Sequence, residues 1–376
     1  MSYKETLFFV AKCLTISLEE KNKKLIENQL QSSAINWDNV VKVSTSHYVL
    51  PALYCNLKRV DFLKYLPTEL VEYMQYFTDL NRERNEQIVI QAKELNQLLL
   101  DNNITPIFLK GTCNLLEGLY EDIAERMVGD IDFIFSKQDY PKAIQLLKKD
   151  LYISSIQEDN LSPLEKHYPR LVKEGQINAI EIHKNLLIDK YSSEFNYNHI
   201  KKGIQKINGF NVMGFDHQLL LSIAAIQIND LGFHYKAISL RNAYDVFLLS
   251  KQTDAQRAFD QSGSLRNPLN CFLATCHFTF GEINSLEYDK SDKTENYLRV
   301  FNKLIINHKK RMRFSKRKDV ELFITKRLYI IYKSILNKEA RRWLINLVTS
   351  KEWRNRKLIQ LRLKKKLKQT TSNYIL

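Results

Sequence analysis

The sequence predicts an α+β chain, mostly helical with one short α/β segment, and three observations predict it. Glycine (10) and proline (7) are scarce in 376 residues, so long stretches carry no helix breaker. From residue 3 to about 102 the apolar side chains recur with helical periodicity. Only between Lys110 and about His183 do strand-like runs alternate with helical ones.

Region 1–103 reads as helical. Its clearest helix runs from Leu70 to Leu100, with Leu70, Tyr73, Met74, Phe77, Leu80, Ile88, Leu95 and Leu99 at three-and-four spacing. The polar run Asn81–Glu86 interrupts that stripe and reads as a solvated face or a cleft lining. Asp101-Asn102-Asn103 stops the helix, and Thr105–Leu109 follows as a short buried strand. Helix Thr112–Tyr120, strand Val128–Phe135, helix Asp139–Lys149 and strand Asn178–His183 continue an α/β core over 104–213, which closes on a hairpin at Ile207–Phe210. Helical periodicity returns from Asp216 to Leu249 in a second helical region, 214–300, with a loop at Ser262–Pro268. Residues 301–376 form a basic helical tail.

A 44% hydrophobic content over this length supports a sizeable core and excludes a disordered or fibrous chain. The net charge of +15 is unevenly placed: residues 301–376 hold 23 basic and 4 acidic residues, and the preceding 300 sum to −4. The charge therefore describes a tail and not a catalytic site. Cys13, Cys55, Cys113, Cys271 and Cys276 are odd in number and set in apolar stretches, the pattern of reduced thiols. The apolar run Leu7–Ala11 ends at Lys12, too short for a secretion signal, and no uncharged apolar stretch approaches the roughly 18 residues of a membrane span. A cytoplasmic location is expected.

The chemistry points to Gly129-Asp130-Ile131-Asp132-Phe133. On a strand Asp130 and Asp132 share one side, about 7 Å apart, while Ile131, Phe133 and Phe135 take the other. Adjacent anions of this kind suit a hard divalent cation such as Mg²⁺, although an edge strand with acids facing solvent carries the same pattern. Lys110-Gly111 lies between a strand and a helix, where free backbone N–H groups and the helix dipole can hold a phosphate. Glu181, on a second apolar strand, adds a third carboxylate. Three carboxylates facing a phosphate turn are what metal-assisted phosphoryl transfer requires.

The run Phe108–Thr112, then Arg126, Gly129–Asp132 and Ile180–His183, with Asn36-Trp37-Asp38, Ser46-His47 and Asn85 ahead of them, resembles the uncharacterised nucleotidyltransferase family of the DNA polymerase β-like superfamily over roughly residues 30 to 250. The resemblance implies a small mixed β-sheet flanked by helices. It also implies metal-dependent transfer of a nucleoside monophosphate from an NTP, ATP foremost, with release of pyrophosphate. Carried over residue by residue, Asp130, Asp132 and Glu181 become the catalytic acids and ligands of Mg²⁺ or Mn²⁺, and Lys110, Gly111 and Thr112 the phosphate turn. Two departures stand out: Lys110-Gly111 replaces the superfamily's Gly-Ser, and Glu181 stands where Asp is usual. Arg126 is expected either to clamp polyphosphate or to pair with Glu121, Asp122 or Glu125. His183, on the face of Glu181, and His167 are supporting groups or hydrogen-bonded core histidines. The acceptor, whether a small molecule, tRNA or a protein, is left open.

Other patterns carry less. Cys271 and Cys276-His277 lack a second pair at zinc-ligand spacing. Arg241 and Asp245 are four apart on a predicted helix, Lys236–Leu249, and read as an ion pair. The segments Leu328–Tyr332, Arg341–Ile345 and Leu361–Lys368 form basic amphipathic helices suited to RNA, to an anionic membrane face or simply to solvent. A scaffold that binds nucleotide, RNA or a protein partner without chemistry, and a nucleotide-sugar glycosyltransferase, are the competing readings. An Asp-x-Asp carboxylate relieved of its like-charged neighbour is expected to leave the fold at least as stable.

Overall fold

A computed structural model describes residues 1–32, 35–154, 162–259 and 262–351. The chain divides into two compact units, Met1–Ser155 with Lys166–Lys318, and Ile156–Glu165 with Asp319–Leu376. The expected regions 1–103 and 214–300 lie in the first unit, as does 104–213 apart from Ile156–Glu165.

That unit begins with α1 (Tyr3–Cys13), α2 (Glu20–Ser32), α3 (Trp37–Ser46) and α4 (Leu50–Arg59), followed by the long α5 (Thr68–Asp101). Local sequence sets their ends: Ser2 and Glu5 form a reciprocal capping box on α1, and Asn36 caps α3 by accepting from the Asn39 N–H. The sheet has strands β1 (Ile107–Phe108), β2 (Ile131–Ile134), β3 (Ile153–Ser154), β4 (Leu171–Val172), β5 (Ile180–His183), β6 (Ile204–Ile207) and β7 (Phe210–Met213). Their spatial order is β3-β4-β5-β2-β1-β7-β6. It is a mixed sheet, with β2 parallel to β5 and antiparallel to β1, and β6-β7 a hairpin turning on Asn208-Gly209. Helices α6 (Lys110–Glu117) and α7 (Asp139–Lys149) follow β1 and β2. The fold is thus α+β with a mostly helical chain, as the sequence predicts.

Two expectations change. The helical periodicity read from Asp216 to Leu249 divides, after the short α8 (Tyr197–Ile200), into α9 (Phe215–Ala224), a π-helical segment Ala225–Asn229, α10 (Gly232–Tyr235) and α11 (Leu240–Leu249), which begins four residues later than the expected Lys236. Leu231 and Lys236 take positive φ on either side of α10, and a Cβ on Gly232 would lie 2.7 Å from the Ile226 carbonyl oxygen, so the chain bends where periodicity alone predicts continuity. The expected loop Ser262–Pro268 is largely helical: past α12 (Ala255–Ala258), a 3₁₀ turn leads into α13 (Arg266–Phe280), whose first turn tolerates Pro268. Then α14 (Asp292–Ile306) and the start of α15 (His308–Leu336) complete the unit. Its core includes Leu7, Phe62, Phe108, Phe133, Phe247, Phe272, Phe280 and Phe301, all buried, with the five cysteines buried and unpaired among them.

The second unit holds the remainder of α15 and α16 (Lys338–Thr349). Asn337 caps α16 through Glu339 and Ala340, and Arg341 closes the end of α15 by donating to the Ser334 and Ile335 carbonyls. Leu361–Lys368 lies outside the described residues. Among the described residues no helix is long and apolar enough to cross a membrane.

Candidate active site

Parallel pairing of β2 with β5 sets Asp132 beside Glu181 and Ile134 beside His183. Side chains two apart on a strand share a face, so Asp132, Glu181 and His183 emerge together while Phe133 packs its ring 5.9 Å from Phe108 on the other side. Asp130 precedes β2 by one residue. The strand is shorter than expected, because side chains and not a ladder hold the approach to it. Arg126 O accepts from Asn81 (3.2 Å) and Asn85 (2.7 Å), Val128 O accepts from Arg84, and Asp130 O accepts from the Thr112 hydroxyl (3.2 Å). The polar run on α5 is therefore a clamp on this segment. Arg84 also donates to Asn178 at the entry to β5, so one residue ties both acid-bearing strands to α5.

Cations already meet the acids. Lys110 takes positive φ at the start of α6, and its Nζ lies 2.6 Å from Asp132 Oδ1, 3.8 Å from Glu181 Oε2 and 3.3 Å from His183 Nε2. His183 Nε2 is 2.7 Å from Asp132 Oδ1 and 3.7 Å from Glu181 Oε2. His167, bridged to His183 in the backbone, comes within 4.0 Å of Glu181. Arg170 bridges two acids, Nη2 to Asp130 at 2.6 Å and Nε to Glu181 at 2.8 Å. Burial and the neighbouring Asp132 and Glu181 push Asp130 up to about 7. Burial opposes ionisation of Asp132 too, but the Lys110 ammonium and the His183 hydrogen bond hold it well below the usual carboxylate range. Burial, reinforced by Lys110, lowers His183 to about 4, which keeps the imidazole neutral.

Six of the nine predicted residues thus converge: Lys110, Asp130, Asp132, His167, Glu181 and His183. Gly111 and Thr112 form the turn beneath them. A Cβ on Gly111 would meet Val128 Cγ2 at 3.1 Å, and the Thr112 hydroxyl holds Asp130 instead of standing free. Arg126 is elsewhere: buried behind Gly111, it forks onto Asp245 (2.9–3.0 Å) and donates to Met127 O. Its partner is none of Glu121, Asp122 or Glu125, and its occupied guanidinium does not support the expected phosphate clamp. Asp245 is correspondingly not the partner of Arg241, which turns to Met127 O (3.3 Å) and over the Tyr48 ring.

Among the described residues, Asp132, Glu181 and His183 form a group that could hold a metal ion, their ligand atoms lying within 4.8 Å of one another. Asp130 is not in that group, and His183, expected as a supporting group, is. Two carboxylates and a neutral imidazole that already gather an ammonium suit a divalent cation. Sequence reasoning missed Arg170, and also Asp230, whose burial-raised carboxyl feels Lys166 and Lys110. The signal for Arg170 was its place one residue before β4, opposite Glu181 in an antiparallel register that only the fold reveals.

Neither a curated protein nor a solved structure matches the chain. A family model does, over residues 33–280, which spans the α5 clamp, the acids of β2 and β5, and α11. The chain belongs to the family described as uncharacterised nucleotidyltransferase.

Proposed function

We propose that the chain transfers a nucleoside monophosphate from an NTP, ATP foremost, to a hydroxyl-bearing acceptor and releases pyrophosphate. The observation that carries this reading is the convergence of Asp130, Asp132, Glu181 and His183 from two neighbouring strands beside the first turn of α6. Asp130, Asp132 and Glu181, with His183 beside them, would hold Mg²⁺ or Mn²⁺. Such an ion would offset polyphosphate charge and acidify the acceptor hydroxyl.

The protein's own groups do the rest. The first intrahelical bond of α6 runs from Cys113 N–H to Leu109 O at 3.2 Å, so the N–H groups of Lys110, Gly111 and Thr112 precede the helical ladder and are suited to phosphate oxygens. Glu181, kept ionised by Lys110, His167 and Arg170 against its burial and Asp132, is placed to accept the acceptor's proton. The buried Arg126–Asp245 pair sits behind Gly111 and fixes the turn.

The test is calorimetry of each of the four NTPs in Mn²⁺ and in chelator, on wild type and an Asp132→Asn/Glu181→Gln variant, with pyrophosphate release followed in parallel. Metal-dependent binding and slow NTP hydrolysis, both lost in the variant, are expected. An NTP bound equally in chelator and never consumed would instead make the chain a nucleotide-binding scaffold, a reading favoured by the saturation of its acids with Lys110 and Arg170.

A further inference from the structure

We infer that Arg170 is a displaceable counter-ion: it holds Asp130 and Glu181 before substrate arrives, yields them to a divalent cation, and turns to the polyphosphate. This rests on the metal-dependent transferase reading above.

The geometry separates the two cations of the site. Lys110 belongs to α6, its side chain is 24% exposed, and its nearest acid is the buried Asp132. Arg170 stands outside β4 with 57% of its side chain exposed, and its fork spans an acid on each of the two central strands. Those contacts, 2.6 Å to Asp130 Oδ2 and 2.8 Å to Glu181 Oε1, occupy oxygens on the open side of the cluster, opposite the Lys110 contact with Glu181 Oε2.

A side chain that is 57% exposed and held through its guanidinium alone can leave by side-chain rotation, with no loss of sheet pairing. Lys110 Nζ stands among Asp132, Glu181 and His183, so the oxygens that an incoming cation can reach without moving Lys110 are the two that Arg170 covers, Asp130 Oδ2 and Glu181 Oε1. Arg170 touches both Asp130 and Glu181 and so offsets the repulsion between them. Once released, its planar fork matches phosphate oxygens as it matched carboxylates. One side chain then serves acids and polyphosphate in turn.

The experiment compares wild type, Arg170→Gln and Arg170→Lys, first with Mn²⁺ alone by calorimetry and then with a non-hydrolysable ATP analogue at saturating Mn²⁺. Thermal melts without metal establish that each variant is folded. Removing a competing cation should tighten Mn²⁺ binding to Arg170→Gln by about tenfold, and losing a charged phosphate contact should weaken the analogue by about tenfold. Arg170→Lys should fall between wild type and Arg170→Gln in both. Equal or weaker Mn²⁺ binding in folded Arg170→Gln would overturn the competition, and unchanged analogue binding would overturn the transfer to polyphosphate. Absence of Mn²⁺ binding from both wild type and Arg170→Gln would overturn the transferase reading itself, and this inference with it.

Discussion

Asp132 is both a candidate metal ligand and half of a buried ion pair, and the second role changes what its loss does. Relief of like-charge repulsion alone leaves an Asp132→Ala variant as stable as wild type. The Lys110 ammonium at 2.6 Å reverses this, since it would lose its nearest counter-charge. We expect Asp132→Ala to lose about 2–4 kcal/mol in urea unfolding, with part regained when Lys110→Met is added. Strictly additive losses would show that the pair is uncoupled. Glu117 illustrates a different balance. One of its oxygens accepts from Gln218 at 2.5 Å, the other is buried without a partner, and burial pushes the carboxyl up to about 7. The folded chain therefore keeps this proton when the unfolded chain, titrating near 4.5, has lost it. Stability falls as pH rises between those values, and the whole penalty is present above the upper one. Glu117→Gln should gain about 1 kcal/mol at about pH 8, after discounting for solvent screening at this half-buried position, and nothing near pH 4. Melts across that range would expose the opposite slope if the carboxyl stays ionised.

At the scale of elements, β2 is brought to its place by α5 and α11 as much as by its neighbours in the sheet. Asn81, Arg84 and Asn85 on α5 occupy the carbonyls that lead into it, and Asp245 on α11 holds Arg126. Arg126→Ala leaves Asp245 buried without its partner and should cost about 3–5 kcal/mol in unfolding free energy. A variant with unchanged stability and a collapsed NTP affinity would return Arg126 to the phosphate role. Asn85→Ala removes this donor from Ile123 O and leaves Arg126 O to Asn81 alone, and should cost about 1–3 kcal/mol. Because those carbonyls position Asp130, Mn²⁺ affinity should fall with it, and titration of the variant below its melting temperature decides whether the clamp reaches the site.

For the molecule as a whole, the packed core is complete by α14, where Phe301, Leu304 and Ile305 are buried. Among described residues beyond Lys318 only Ser334 and Ala340 are buried, while Val320, Phe323, Ile324, Leu328 and Ile331 are exposed. A chain ending at Lys318 should therefore keep the calorimetric transition of the first unit within a few degrees, about the shift that 1 kcal/mol produces in a domain of this size. A collapse of that transition would mean that the basic segment contributes to the core.

Sequence alone determined the features that local physics controls. Helix α7 appears at its expected bounds, where the Ser136 hydroxyl accepts from the Asp139 N–H and the apolar period begins, and the hairpin β6-β7 forms where Asn208-Gly209 permits positive φ. The Asp130 and Asp132 pair was legible because alternation along a strand needs only neighbours in the chain, whereas Glu181 meets Asp132 through the parallel pairing of β5 with β2. Tertiary structure decided the charge partners: Asp245 reaches Arg126 across 119 residues, Arg84 reaches Asn178 across 94, and Arg170 meets Asp130 across 40. The physical reason is that a strand's face follows from its own residue order, whereas the partner of a buried charge follows from which elements the fold packs against it.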